Sequence, residues 1–179
     1  WGHMFVVIAT TLFFLAFGVE RWPVMAVLWA LIPLANSVYF SQVPLATLHD
    51  GQPSMKIRSM LKTKWFWVFA LLMVCAGASE QGMSQWASAF AESGLKVSKT
   101  VGDLAGPCLF AGTMGLARLL YARMSAGVKL TRVMASSAVL CILGYMLAAF
   151  TTWPPIGLAG CALVGFSVGV FWPGTFSLA

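Results

Sequence analysis

The sequence predicts an all-α, polytopic membrane protein with six transmembrane helices, and three observations carry this prediction. The chain is 60% hydrophobic and only 9% charged, whereas a soluble domain has about 25% charged residues. Its apolar residues form six stretches, each near the length of about 20 residues that crosses a bilayer. Its positive charges cluster in short loops between those stretches, as in cytoplasmic loops, which excludes a nucleic-acid-binding surface.

The six predicted spans follow one another with short polar turns between them. Their approximate ranges are 1–18, 23–48, 65–91, 100–124, 133–150 and 156–178. Pro23 fits the first turn of the second span, because that position needs no backbone N–H. Pro33 removes a hydrogen bond inside the same span and therefore predicts a kink there.

The segment 49–64 is the long polar segment of the chain, and it predicts the boundary between two halves. It contains Asp50-Gly51 and Pro53, which form turns, and four Lys or Arg residues. The aromatic residues of 65–67 follow it, as is typical of a membrane interface. We therefore divide the chain into two helices (1–48), a loop (49–64) and four helices (65–179).

The distribution of cations predicts the orientation of the spans. The loops 49–64 and 118–132 lie on the same side, because two spans separate them, and they carry eight of the eleven Lys and Arg residues. The side richer in cations is cytoplasmic in membrane proteins. The four cysteines lie inside apolar spans without a C-x-x-C pair, which predicts buried apolar residues rather than a metal site or a disulfide.

The third span carries a polar stripe. Drawn as a helix with about 100° between residues, it places five polar residues on one face: Glu80, Gln81, Ser84, Gln85 and Ser88. The opposite face holds Met83, Trp86 and Phe90, which we expect to face lipid. An ionisable group deep in a bilayer costs about 2.5–3.5 kcal/mol and usually faces a cavity or a partner. The stripe is therefore either the wall of a solute path or a hydrogen-bonded helix contact, unless Glu80 already lies at the membrane interface.

Other polar residues lie near the ends of spans. Thr100-x-x-Asp103 has the form of a capping box at a helix start, although a role for Asp103 in substrate binding or gating stays open. Arg118 and Arg123 end the fourth span. They either anchor it to lipid headgroups or contact an acid or a helix end at an inner gate.

The sixth span combines small residues with a proline. Its spaced glycines, among them Gly165 and Gly169, allow close helix packing. Pro173 would leave the Gly169 carbonyl without its helical partner, which predicts a broken helix. Gly165-x-Ser167-x-Gly169 also matches a nucleophile motif, but both histidines, His3 and His49, lie at span ends or in loops. We therefore expect no enzyme, and no cofactor or metal.

Two stretches resemble a known family. Gly77-Ala78-Ser79-Glu80 through Trp86, together with Gly112 to Arg123, look like the seventh and eighth helices of the major facilitator superfamily, nearest to its fucose-permease-like sugar branch. The stretch 117–123 resembles the G-R-L-x-x-x-R loop motif. Ala117 replaces the glycine of that motif, and Ala122 stands where the fuller motif has an acid.

The resemblance implies a twelve-helix transporter, of which this chain forms helices five to ten. Range 1–48 would end the first bundle, 49–64 would be the central cytoplasmic loop, and 65–179 would begin the second bundle. The chain starts at Trp1 and ends in an apolar run, so we expect a fragment of a longer protein.

The family implies alternating access and, in its sugar branch, proton symport in a bacterial inner membrane. The implied partners are a small sugar-like solute, protons, the bilayer and the remaining helices. Substrate contacts are expected from Glu80, Gln81, Ser84 and Gln85, and inner-side contacts from Arg118 and Arg123. The alternative is a non-transport membrane protein, a sensor or an assembly subunit, in which the stripe packs against a partner helix.

Overall fold

The computed structural model describes residues 2–44, 57–124 and 127–178. Within those ranges the regular elements are all helical, which confirms the all-α class. The helices are α1 (Gly2–Phe17), α2 (Trp22–Gln42), α3 (Ile57–Met60), α4 (Lys64–Ala89), α5 (Lys99–Met124), α6 (Leu130–Phe150), α7 (Pro154–Val168) and α8 (Phe171–Leu178). A 3-10 turn, Val19–Arg21, precedes α2, and a π-helical turn, Phe90–Gly94, extends α4.

Five helical stretches of the described chain are long and apolar enough to cross a membrane. They are Val19–Gln42, Lys64–Gly94, Lys99–Arg123, Leu130–Phe150 and Pro154–Leu178. The first predicted span is shorter than expected, because α1 has 16 residues, about 24 Å at 1.5 Å per residue. The protein is thus a membrane-embedded helical protein, and the residues that the structure describes contain five such stretches and one shorter apolar helix.

Prolines and loop residues move several boundaries away from the predictions. The second span ends at Gln42, because a residue that precedes a proline, here Pro44, disfavours the helical conformation. Pro33 lies inside the uninterrupted α2. The basic segment 118–132 is mostly helical, since α5 runs to Met124 and α6 starts at Leu130. Most of the predicted central loop, 49–56, lies outside the described residues, as do 45–48 and 125–126.

Helix α7 is the centre of the packing and contacts α4, α5 and α6. Its glycines place its backbone directly on its neighbours: an added Cβ at Gly165 would lie 2.2 Å from the Phe110 carbonyl oxygen, and one at Gly160 would lie 2.8 Å from the Gly144 carbonyl oxygen. Small residues at these positions allow this approach. The predicted close packing of the sixth span is therefore confirmed.

The first two helices stand apart from this bundle. Helix α1 packs mainly along α5 and touches α2 only lightly, for example where the Trp29 indole donates to Thr10 Oγ1 at 3.2 Å. Met25 is the buried residue of α2. The chain thus forms a packed group, α4 to α8, joined to α1 and α2 through the α1–α5 contact.

Candidate functional site

The packed face of α4 differs from the predicted one. Ala76, Met83 and Ala87 are buried on it, and Phe90 packs against the same core. The prediction that Met83 and Phe90 face lipid is therefore wrong, and of that set only Trp86 is exposed, at 69%. The physical reason is the close approach of α5 at Gly106 to the backbone at Ala87, which turns the side of α4 that carries Ala87 and Met83 toward the core.

Gln81 and Gln85 lie on the side of α4 that no described helix covers. The Gln85 side-chain Nε2 donates to Gln81 Oε1 at 3.2 Å, and neither amide makes another hydrogen bond within the described ranges. Both are exposed. Together with Trp86 and Ala89 they line a shallow recess of about 560 Å³. Each amide therefore keeps unused donors and acceptors for a further partner.

Glu80 and Ser84 occupy a different position. Both are partly buried, at the edge between the packed face and the glutamine face. Neither makes a hydrogen bond or an ion pair with another residue that the structure describes. The structure therefore divides the four predicted substrate-binding residues into an exposed pair and a half-buried pair, and it brings only Gln81 and Gln85 into one recess.

A second polar cluster joins α4 to α5. The Ser88 hydroxyl donates to Asp103 Oδ1, and Lys99 Nζ lies 3.6 Å from Asp103 Oδ2 and 3.8 Å from Glu92 Oε2. The Asp103 side chain is 28% exposed. The capping-box prediction is wrong, since α5 already begins at Lys99 and the carboxylate contacts α4 rather than the first amides of its own helix.

Glycines of α5 explain this close contact. A Cβ at Gly106 would lie 2.8 Å from the Ala87 carbonyl oxygen, and one at Gly102 would lie 3.3 Å from the Ser88 carbonyl oxygen. Because these residues lack a side chain, the two helices approach until the Ser88 hydroxyl reaches the carboxylate of Asp103.

The cluster opens into a cavity of about 540 Å³ between α1 and the α4–α5 pair. Ser88, Lys99 and Asp103 line it, and Thr10 and Thr11 of α1 contribute hydroxyls. The rest of the lining is mostly apolar. Sequence analysis left a binding or gating role for Asp103 open but did not choose it as a site residue. The signal that could have found it is an acid inside a membrane-length span, since such acids are costly unless they have a role.

Arg118 contacts the break between α7 and α8. Pro173 has no N–H to offer the Gly169 carbonyl, and Arg118 Nε donates to that oxygen at 3.1 Å instead. Helix α7 ends at Val168, immediately before this residue. The predicted broken helix is thus confirmed, and so is a contact of Arg118 with a neighbouring helix end. Arg123 is exposed near the end of α5.

Ser167, the central residue of the apparent nucleophile motif, is fully buried. Its hydroxyl donates to the Val164 carbonyl oxygen at 2.8 Å, as is usual for a serine packed inside an apolar helix. Among the described residues, no group of three His, Cys, Asp or Glu side chains is placed to hold a metal ion.

Comparison with known proteins identifies no relative, because no family model, no curated protein and no solved structure matches the chain.

Proposed function

We propose that the chain is part of a secondary active transporter of the major facilitator type. It moves a small polar solute, a sugar, across a bacterial inner membrane by alternating access and proton symport. The observation that carries this proposal is the open glutamine face of α4, on which Gln81 and Gln85 are exposed and bonded only to each other within the described chain.

The glutamine face belongs to a helix of membrane-spanning length. Helix α4 belongs to a stretch of 31 residues that is apolar enough to cross a membrane. An amide that enters hydrocarbon without a hydrogen-bond partner costs about 4–8 kcal/mol. Lipid is therefore an unfavourable neighbour for Gln81 and Gln85, whereas a water-filled path or a polar solute satisfies them.

The division of the chain into two groups supports the same proposal. Helices α1 and α2 are the end of one bundle, and α4 to α8 begin the second, so that 1–178 supplies six of twelve helices. The contact of α1 with α5 is where the two bundles meet. Rocking of one bundle against the other around a central site is how transporters built from such halves alternate their access.

The break between α7 and α8 supports a moving inner gate. Irregular backbone at membrane depth is tolerated where it lines a cavity or is buried in protein. Arg118 satisfies the Gly169 carbonyl at this break. In the proposed cycle Arg118 stabilises the closed state of the cytoplasmic gate through its hydrogen bond at the helix break. Arg123 anchors the end of α5 at the membrane surface.

A sensor or an assembly subunit is the second candidate function. The observation in its favour is the partly buried Glu80, which has no partner among the described residues and could pair with a helix of another protein. Such a protein would bind through the stripe without moving a solute. Uptake measurements with the full-length gene product therefore separate the two candidates.

Substitutions in the stripe are expected to reduce uptake. In the full-length gene product, Glu80→Gln and Gln85→Ala should each lower the initial rate of sugar uptake at limiting solute about tenfold or more. The first replaces a charged hydrogen-bond acceptor with a neutral one, and the second removes the hydrogen bonds of the amide to the solute. The measurement is uptake of radiolabelled hexoses into cells or proteoliposomes, normalised to the amount of protein in the membrane.

Two matched substitutions serve as controls. Glu92→Gln removes a carboxylate from the turn beyond α4, and Gln42→Ala removes an exposed amide at the end of α2. Both should leave uptake unchanged. Normal uptake by Glu80→Gln and Gln85→Ala would show that the polar stripe does not line the solute path.

A further inference from the structure

We infer that Asp103 binds hydroxyl groups of the solute in the cavity between α1 and the α4–α5 pair. This inference rests on the proposed function, and it adds a binding position that lies apart from the Gln81–Gln85 recess. Ser88, Thr11 and Thr100 line the same cavity and offer hydroxyls to the same solute.

The carboxylate of Asp103 has hydrogen-bonding capacity to spare. An ionised carboxylate accepts about four hydrogen bonds. Oδ1 accepts one from Ser88, and Lys99 Nζ lies 3.6 Å from Oδ2, beyond the usual length of a hydrogen bond. Asp103 is therefore held in place by Ser88 and still accepts donors from the cavity. Two neighbouring hydroxyls of a sugar or polyol supply such donors.

The charges around the cavity favour a neutral solute. Lys99 and Asp103 are the charged residues of its lining, and they carry opposite charges. A charged solute would therefore meet a charge of its own sign inside the cavity. A polyhydroxylated molecule instead pairs its hydroxyls with the polar side chains and lays its C–H surface on the apolar walls from α1, such as Val7 and Phe14.

Both halves of the chain contribute to the cavity. Asp103 belongs to α5, and Thr10 and Thr11 belong to α1, which is the helix that joins the first bundle to the second. Thr10 Oγ1 already accepts from the Trp29 indole, so its own hydrogen is available to the cavity. A solute bound here would contact the two bundles together and would change the relative stability of their arrangements, as alternating access requires.

The test measures equilibrium binding of radiolabelled D-glucose, D-galactose, L-fucose and D-mannitol to the purified full-length gene product. Asp103→Asn keeps the shape of the side chain and removes its charge. We expect it to weaken binding of the preferred polyol about tenfold to a hundredfold, since hydrogen bonds to a charged group are the strong ones. Thr11→Val, which keeps the shape of the α1 side chain, should weaken binding several-fold.

Glu92→Gln is the matched control, because Glu92 also lies beside Lys99 but does not line the cavity. It should leave affinity within about twofold of wild type, well below the effect of losing a charged hydrogen bond. If Asp103→Asn and Thr11→Val both bind as tightly as wild type while Gln85→Ala binds weakly, the cavity is not the binding position and the transporter proposal stands. If the wild-type protein binds none of the four probes, the sugar proposal fails and this inference fails with it.

Discussion

Replacing Gly165 with alanine is expected to lower the yield of folded protein severalfold. An added Cβ at this position would lie 2.2 Å from the Phe110 carbonyl oxygen and 2.6 Å from Thr113 Oγ1. The nearest atom belongs to the backbone of α5, so it cannot move away as a flexible side chain would. Overpacking of this kind costs about 1–3 kcal/mol and sometimes more, and α7 lies at the centre of the bundle.

Gly112→Ala is the matched control for this prediction. Gly112 lies on α5, and the nearest atom to an added Cβ is the Met4 Sδ at 3.6 Å, an ordinary contact distance. Alanine is favoured over glycine in helices by about 1 kcal/mol, so this variant should be as abundant as wild type. The readout is the yield of monodisperse protein in fluorescence-detected size-exclusion chromatography. A normal yield of Gly165→Ala would mean that α5 and α7 do not pack as described.

Arg118→Ala should destabilise the bundle by about 1–3 kcal/mol, the cost of leaving a buried polar group without its partner. The Gly169 carbonyl loses the Arg118 Nε that now donates to it at 3.1 Å, and Pro173 cannot replace this donor. Arg123→Ala is the control, because it removes the same charge from the same helix at an exposed position. The measurement is the thermal midpoint of the detergent-solubilised protein, which should fall for Arg118→Ala and stay constant for Arg123→Ala.

A second substitution tests the cause of this effect. Pro173→Ala supplies a backbone N–H that can donate to the Gly169 carbonyl, as in an unbroken helix. Arg118→Ala should therefore destabilise the bundle less when Pro173 is already alanine, with a coupling energy of about 1 kcal/mol between the two substitutions. Strictly additive effects would show that Arg118 acts through something other than the freed carbonyl.

Much of the fold could be predicted from the sequence because a bilayer limits the possible structures. Apolar stretches long enough to cross a membrane form helices, because their backbone must satisfy its own hydrogen bonds in lipid. Five of the predicted spans are such stretches. The broken helix could be predicted from Pro173 alone. A proline has no backbone N–H, so the Gly169 carbonyl, four residues earlier, loses its helical partner. The donor that replaces the missing N–H is Arg118, 51 residues away in sequence. From the sequence, a contact of Arg118 with a helix end was one alternative and a lipid anchor was the other.

The face of α4 could not be predicted correctly from polarity alone. Ala76, Ala87 and Ala91 carry no polar signal although all three are buried, whereas Ala78 and Ala89 are exposed. The pattern Thr100-x-x-Asp103 favours a helix cap and leaves a binding role open, because the partner of Asp103, Ser88, is 15 residues away in sequence on another helix. This contact forms because Gly102 and Gly106 let α4 and α5 pack closely. The sequence does not show which helices pack against each other, so the contact could not be predicted.

The most direct test of the proposed solute path is cysteine labelling along α4. The full-length gene product first has its native cysteines replaced, and Gln81, Gln85 or Ala87 is then changed to cysteine one at a time. We expect a membrane-impermeant thiol reagent to label positions 81 and 85, a transported sugar to protect position 85, and position 87, which is fully buried, to stay unlabelled. Equal resistance of positions 85 and 87 to the reagent would contradict the proposal, because the glutamine face would then be buried packing and not the wall of a path.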